Sequence, residues 1–592
     1  MMYDGMVSKI STWKVFLNGT KDFFKAMPIR FSIFNIIGMA DGFLVVATIF
    51  ITQQMFDSIA DVIQNDGIIW YAYFMIIAMG GFLLLREVLR GVQNVNHTII
   101  SNLMYGEYRK LIHAKMAKID PVCVEYSQFN DLISKSVNGA VRVVFIVKYG
   151  FNLITFYLPV IIVMCVFLYS LNPVFIFAIL LTFLPEMLSQ FIRQGIIAKF
   201  VDKTTPISRR YNFYSNAIIG HEYLKETRIL GAFPFFIKRV LTNLSDFHKE
   251  RLALGVRIRI FETLIDLISL LGYAGILFLL VQALLSAQIS IGAFSAVFGA
   301  INMLFGTMSD IVEMYARIAG GMGEAHNYIR FMELPEREGA DGQPNYQDGI
   351  CAENISFSYP SAAHKSIDAV SISIKAGETV AIVGENGAGK TTLVRILIGL
   401  YLSDEGRVFL NGMDTKEFNF SIFKGVSGVF QNFQRYQMTL NDNISISEFD
   451  KKSGLEDALL HANMSKDDPN FPNGFDTMLS REFGGIDLSM GQWQKIAIAR
   501  GLYRNHHVIV LDEPAASIDP IEESQIYKYF VSISRDKTAI IVTHRLGSTK
   551  IADRIFVMNK GRIVETGSHG ELMQQDGLYA NMYRIQSAWY NN

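Results

Sequence analysis

TVAIVGENGAGKTTLVRIL, residues 379–397, runs an apolar segment into a glycine-bearing loop and then into a helical pattern. The spacing G-x-x-x-x-G-K-T carries information because it falls between a predicted strand and a predicted helix. Gly387 and Gly389 are expected to let backbone N–H groups approach phosphates where a Cβ would obstruct them. Lys390 should reach the β- and γ-phosphates, and the Thr391 hydroxyl should sit on Mg²⁺. The helix starting near Gly389 adds its positive dipole end. The candidate phosphate ligands are therefore Gly384, Glu385, Asn386, Gly387, Ala388, Gly389, Lys390, Thr391 and Thr392.

Two downstream stretches strengthen that reading. HVIVLDEPAASIDP, 507–520, is an apolar strand ending in Asp512, suited to holding a magnesium shell, with Glu513 next in line to polarise an attacking water. AIIVTHRL, 539–546, is a second buried strand pattern ending in His544, placed as a γ-phosphate sensor. An α/β P-loop domain that binds ATP with Mg²⁺ and hydrolyses it follows from the three together.

Outward from this domain the chain changes character. Half of its 592 residues are hydrophobic and 18% are charged, the balance of a chain with a large membrane part. Six apolar runs are long enough to cross a bilayer, at 31–54, 67–85, 149–170, 173–192, 264–285 and 290–309. The fold expected is a multi-domain membrane protein: an all-α six-helix transmembrane domain at 1–334, a Gly/Pro/charge-rich linker at 335–349, and the α/β P-loop ATPase domain at 350–592. Lysine and arginine crowd the connections 86–148 and 193–263 and are missing from the other three, which puts both termini and the ATPase domain in the cytoplasm of a multi-pass protein of the cell membrane. Residues 1–30 read as an amphipathic interfacial helix leading into the first span. The two long connections are expected to extend as helices beyond the bilayer and touch the ATPase domain through elbows at 126–135 and within 214–228.

Composition also excludes some functions. A net charge of −1 argues against a nucleic-acid partner. Cys123, Cys165 and Cys351 lie far apart, without disulfide or zinc spacing. Polar residues within or at the rims of the spans are Asp41, Asn152, Glu186, Asp266, Asn302 and Asp310. An intramembrane carboxylate is costly enough to face a bundle interior or water, and both a cargo contact and a plain helix-to-helix hydrogen bond stay open for each.

The order of these motifs, with ISFSYP at 355–360, Gln431 in GVFQNF and LSMGQ at 488–492, resembles the ABC transporter family over nearly the whole chain, its membrane half being similar to the type IV exporter arrangement. The resemblance implies that Tyr359 stacks on adenine, that Gln431 touches magnesium and that Asp519 organises the opposing site. It further implies a homodimer in which Ser489, Met490, Gly491 and Gln492 close over ATP held by the other copy. Methionine at 490 departs from the family's glycine; a negative φ there would leave the turn serviceable, whereas a positive φ would carry strain and reduce turnover. GVFQNFQRYQMTLNDNI, 428–444, and Trp493 resemble the exporters of modified peptides, lantibiotics included. Peptide export by alternating access is thus the first reading of function, with a lipid or multidrug exporter, a siderophore-type importer and an ATP-gated regulatory protein as the alternatives.

Overall fold

Residues 11–65, 67–126, 129–342, 344–360, 362–513, 530 and 537–590 are described by the computed structural model of this chain. They fall into two compact units: Met1–Ala114 with Asp131–Glu333, and Lys115–Asn130 with Leu334–Asn592.

Among the described residues the first unit is built of helices. A half-exposed helix, α1 (Thr12–Ala26), precedes α2 (Pro28–Asn65) and α3 (Ile69–Met116). α4 (Phe129–Asn152) continues through a π turn (Leu153–Tyr157) into α5 (Leu158–Leu171). Next come α6 (Pro173–Ile219), α7 (His221–Ile229), α8 (Phe233–Leu285) and α9 (Ile291–Met332). Starts are set by local chemistry. Asn172 Oδ1 accepts from the Val174 amide at 3.0 Å, and Ser290 Oγ accepts from the Ala293 amide at 3.0 Å, each satisfying a donor the helix cannot pair internally. The π turn has a cause in Pro159, which lacks an N–H and crowds the carbonyl four residues back, so the ladder slips before it.

Five of these helices are long and apolar enough to cross a membrane: Pro28–Gln64, Ile69–Met116, Phe129–Leu171, Phe233–Leu285 and Ile291–Met332. The sixth expected span, 173–192, lies at the start of α6, a helix of 47 residues. α8 at 53 residues is roughly 80 Å long at 1.5 Å per residue, so the long basic connections are helical extensions of the spans, as their composition suggested. α9 packs through small residues: Gly292, Ala293, Ala296 and Ala300 are buried, and a Cβ at Gly292 would lie 2.0 Å from the Gln53 carbonyl oxygen. Such close approach is how helices gain packing where lipid removes the hydrophobic drive. Large side chains such as Ile77, Leu84, Phe177, Leu181 and Leu271 stay outside, on faces suited to acyl chains.

The second unit is α/β. A four-stranded antiparallel sheet, in order β2-β1-β4-β5, is built from β1 (Ile350–Phe357), β2 (Ile367–Ile374), β4 (Glu405–Leu410) and β5 (Met413–Asp414). The larger sheet runs β10-β9-β3-β8-β7-β6, from β3 (Thr379–Gly384), β6 (Val426–Val429), β7 (Val508–Asp512), β8 (Thr538–Val542), β9 (Arg554–Asn559) and β10 (Arg562–Gly567). β7 and β8 are buried along their whole length, which is why they read as unbroken apolar runs rather than alternating ones. Register places Ile382 level with Val542, and Val542 level with Asp512. The carboxyl ends of β3, β8 and β7 therefore stand side by side, the edge at which parallel sheets place ligands.

Residues 115–130 belong with this unit. A short 3₁₀ helix, Pro121–Glu125, presents Val122 to the ATPase core. Tyr401 Oη donates to Glu125 Oε1, and Arg395 Nη1 donates to the same oxygen at 3.4 Å. The segment grouped with the ATPase unit thus runs to Asn130 and overlaps the start of the expected elbow at 126–135; within 214–228 the chain turns at Gly220 between α6 and α7, inside the first unit. The stretch from 335 is anchored: Arg337 is buried, donating to the Gly399 and Thr415 carbonyl oxygens, with the rings of Phe420 and Phe423 each 5.5 Å away.

Candidate nucleotide site

β3 delivers the glycine loop directly into α10 (Lys390–Leu397). Gly384, Gly387 and Gly389 have φ of 152°, 81° and 100°, values that an L side chain adopts only with strain. Their needs differ. A Cβ on Gly389 would approach the Ser366 carbonyl oxygen to 2.6 Å and one on Gly384 the Met558 carbonyl oxygen to 2.3 Å, whereas Gly387 faces open space. Gly389 is therefore demanded by packing inside the protein as well as by backbone twist, a reason the motif alone did not reveal. Lys390 is folded back, its Nζ donating to the Gly384 and Glu385 carbonyl oxygens at 3.0 Å each. Burial pushes its ammonium below the usual lysine range, opposed by Glu513 and Asp512. Ala388 is buried, its carbonyl oxygen taken by the Gly561 amide at 3.0 Å.

The sheet edge gathers the acids. Thr391 Oγ1 donates to Asp512 Oδ1 at 3.1 Å, and burial pushes the Asp512 carboxyl above its ordinary value. Gln431, two residues beyond β6, donates through Nε2 to Glu513 Oε2 at 2.7 Å, while His544 Nδ1 lies 3.3 Å from Glu513 Oε1. Glu513 itself has φ 48°, a left-handed backbone costing on the order of 1–3 kcal/mol. That strain turns the carboxylate, one residue past the strand, away from Asp512 and towards His544 and Gln431.

One cavity of about 690 Å³ is lined by Tyr359, Ser366, Asn386, Gly387, Gly389, Lys390, Thr391, Thr392, Gln431, Glu513 and His544. The Tyr359 hydroxyl bonds Thr392 Oγ1 at 3.0 Å, and its ring packs edge-on to Tyr401. Ser366 was missed in the sequence; nothing in its own surroundings distinguishes it, since it enters through the packing of β2 against Gly389 and Gly561. The donor set also fits a magnesium ion: a hydroxyl, a buried carboxylate and an amide oxygen, few enough to leave places for phosphate and water oxygens. Thr391, Asp512 and Gln431 would hold it, and when bound it supplies charge to neutralise the phosphates.

LSMGQ lies apart from this cavity. Ser489 caps α13 (Met490–Tyr503): its Oγ accepts from the Gln492 amide at 3.2 Å, and Gln492 Oε1 accepts from the Ser489 amide at 2.9 Å. This reciprocal box fixes the helix start and leaves the Ser489 hydroxyl hydrogen and the first amides of α13 free to donate. Met490 is the first helical residue, without a positive φ, half-exposed, with Arg435 Nη2 3.1 Å from its sulfur. The strain that methionine could have carried there is absent. Trp493 is a buried core residue, and Asp519 lies outside the described residues.

The polar residues of the spans separate. Asp41, Asn152 and Asp310 line one cavity. Asn302 accepts from the Tyr273 hydroxyl at 3.1 Å, a plain helix-to-helix bond. Asp266 is exposed, and the Glu186 side chain lies outside the description. A further acid, Asp57, holds the start of α9 by accepting from the Gly292 amide at 2.7 Å and the Ser290 hydroxyl at 3.0 Å; it stands in a connection read only as free of lysine and arginine.

A membrane-spanning helical unit joined to a P-loop ATPase unit defines a class, the nucleotide-driven membrane transport protein. The sequence pattern of the family described as ABC transporter matches residues 367–516. The subtilin transport ATP-binding protein of Bacillus subtilis is 31% identical over 433 residues, 70% of this chain and 69% of that protein. The ATP-dependent lipid A-core flippase of Photobacterium profundum is 32% identical over 332 residues, 55% of this chain and 56% of the flippase. A solved structure of a bacterial Atm1-family ABC exporter with ATP bound shares the fold, with TM-score 0.74 at 20% identity, over 93% of this chain and 98% of that one. This chain belongs to the ABC transporter family: it is an exporter half-transporter, a multi-pass membrane protein whose ATPase is coupled to transport.

Proposed function

We propose that two copies of this chain pair as a homodimer, close on two ATP molecules with Mg²⁺, and drive a peptide out across the cytoplasmic membrane, with the ATPase units on the cytoplasmic side. The observation that carries the dimer is the separation within one chain of the Ser489 turn from the cavity at Lys390. The turn has donors to give and no phosphate of its own to receive them, so they belong to the site of a second copy. Glu513, held by Gln431 and His544, orients and takes a proton from the attacking water. Asp519 is assigned to the facing site by the family pattern alone.

Closure does work only through differential binding. Shifting the membrane units from 1:99 to 99:1 requires about 5.5 kcal/mol in favour of one state, and phosphate held between a P-loop and a facing helix start supplies contacts that exist only in the closed pair. Hydrolysis removes them. The 3₁₀ helix at Pro121–Glu125, seated between Tyr401 and Arg395, carries the change to α3 and α4.

The peptide reading is supported by the subtilin transport protein among the relatives. A lipid reading has its own support in the flippase relatives and in an apolar groove of about 510 Å³ between α5, α6 and α9, lined by Phe177, Leu181, Met187 and Met308 among others. Purified protein in proteoliposomes, offered labelled peptide or labelled lipid, separates the two: ATP-dependent peptide accumulation lost in Glu513→Gln supports the first, lipid movement without peptide flux overturns it. Shared sites are tested by mixing chains. Lys390→Ala chains combined with Ser489→Arg chains should retain one working site per mixed dimer. A chain carrying both changes, paired with wild type, should retain none; the reverse pattern refutes sharing.

A further inference from the structure

His544 stands just past the end of β8, its side chain half-exposed and its ring Nδ1 3.3 Å from Glu513 Oε1. A ring with so few walls is only as well placed as the backbone beneath it. On one side that backbone is held locally: the Arg545 amide donates to Thr543 Oγ1 at 3.0 Å, and Ser548 Oγ donates to the Arg545 carbonyl oxygen at 2.7 Å. On the other side it is held from far along the chain. Gln586 Oε1 accepts from the Leu546 amide at 2.9 Å, and Gln586 Nε2 donates to the His544 carbonyl oxygen at 2.5 Å. Arg545 between them is extended, with φ −95° and ψ 100°, so the carbonyl of 544 and the amide of 546 point to one side, as they would towards a neighbouring strand. A primary carboxamide meets both, because it carries an acceptor and a donor side by side.

Gln586 is delivered by the helix Leu578–Tyr590, whose start is pinned to β10: the Leu578 and Tyr579 amides donate to Glu565 Oε1 and Oε2 at 2.5 and 3.0 Å. Tyr579, Tyr583 and Gln586 follow at the i, i+4, i+7 spacing that puts them on one face. That face grips the 3₁₀ helix Leu546–Ile551. Tyr579 is buried, its hydroxyl bonding Thr549 Oγ1 at 2.7 Å, and Lys550 Nζ lies 5.4 Å from the centre of the Tyr583 ring. Gln586 is the rung of this contact that reaches His544, and it is not among the residues lining the nucleotide cavity. Resting on the reading of His544 as the group that meets the γ-phosphate, we propose that Gln586 is a positioning residue for ATP hydrolysis. Its carboxamide fixes residues 544–546 so that the His544 ring stays against Glu513, which makes the helix Leu578–Tyr590 part of the ATPase engine. Water competes for both hydrogen bonds at this exposed rim, so they add little to stability. What they supply is direction.

The test uses full-length protein in lipid nanodiscs and single-turnover hydrolysis of ATP with Mg²⁺ over a range of ATP concentrations, which reads slow variants and separates rate from binding. Gln586→Ala should lower the rate constant about five- to tenfold, with the ATP concentration for half-saturation changed less than about twofold. Gln586→Glu has the same size and still accepts from the Leu546 amide, but it turns an oxygen towards the His544 carbonyl. It should be at least as slow as the alanine variant. In a His544→Ala background, adding Gln586→Ala should change the rate by less than about twofold, because the two residues act as one unit. A Gln586→Glu protein that hydrolyses like wild type while Gln586→Ala is slow would reduce the side chain to filling space and overturn the proposal. So would an unchanged rate in Gln586→Ala, or the same loss with and without His544; in each of these the role of His544 itself survives. Should His544→Ala alone hydrolyse at the wild-type rate, the sensor reading falls and this inference falls with it.

Discussion

Two polar cavities are nearly equal in size, about 690 Å³ at the nucleotide loop and about 610 Å³ in the membrane unit, yet they are built in opposite ways. The first is made where parallel strands end together, so β3, β7 and β8 bring Lys390, Asp512, Glu513 and His544 to one edge, and much of its phosphate-binding power is backbone. The second is made from side chains on long helices, Asp41 on α2, Arg86 and Arg90 on α3, Lys148 on α4 and Asp310 on α9. A loop that grips phosphate with amides can serve any transporter of the class. The lining of a cavity built from side chains changes with single substitutions, whereas backbone amides do not.

The sharpest break between the two should come from Glu513→Gln. Loss of the group that takes the water's proton should lower hydrolysis by about 10²–10⁴-fold, while ATP binding and peptide binding in the membrane unit persist. A steady-state ATPase assay alongside nucleotide and peptide titrations reads this, and hydrolysis within tenfold of wild type would refute the assignment.

Next in size is an effect on the seat of the Pro121–Glu125 helix within the ATPase unit. Glu125→Gln removes the charge that accepts from both Tyr401 and Arg395, and Tyr401 also packs on Tyr359 and Phe357. Cargo-stimulated ATPase should fall about ten- to a hundredfold, in keeping with the 1.5–3 kcal/mol typical of a hydrogen bond to a charged group, with unstimulated hydrolysis changed less. Equal loss of both would place Glu125 in catalysis rather than in transmission.

A smaller effect concerns stability. Burial raises the Asp512 carboxyl above its unfolded value, so its contribution is fully favourable below that value and is lost as pH rises through the folded one. At neutral pH without nucleotide or metal, the charged carboxylate is therefore a cost. Asp512→Asn should raise the melting temperature of nucleotide-free protein by about 2–4 °C for each kcal/mol relieved, and the advantage should vanish when wild type is saturated with ATP and Mg²⁺. His506 works in the other direction. Burial holds it down at about 4, so stability present above pH ~6.5 is lost as pH falls towards the folded value.

These differences explain what could be read from the chain. Asp512, Glu513 and His544 were legible because each stands at or just past the end of a short strand, and Lys390 and Thr391 because they open the helix that the glycine loop leads into; strand ends in a parallel sheet converge whatever the rest of the fold does. Glu125 was not, although Pro121 marks the break in the long helix: the expected elbow began one residue after it, and its partners Tyr401 and Arg395 lie some 270 residues away in sequence. Lys148 was hidden inside a basic run read as topology, and its burial follows only from the packing of α4 against α3 near Ser101. The span carrying Pro159 gave a local signal, a proline inside an apolar run, whose consequence at Tyr157 depends on where α9 puts Asp310. Asp57 looked like loop because it pairs with a helix start 235 residues away.

The smallest expected effect sharpens the comparison most, because it separates a departure from the family pattern from a defect. Met490 stands where the family has glycine, and a glycine required for positive φ would have made methionine costly. Here residue 490 is the first residue of a capped helix without positive φ, its side chain half-exposed and lying against Arg435. Met490→Gly therefore relieves no backbone strain, and it adds flexibility at a helix start that costs on the order of 0.5–1 kcal/mol relative to alanine. Hydrolysis by the substituted protein should stay within about fivefold of wild type, the factor to which 1 kcal/mol corresponds. A rise of tenfold or more would show that the turn adopts another backbone in the closed dimer, and that the methionine restrains the engine rather than merely occupying its place.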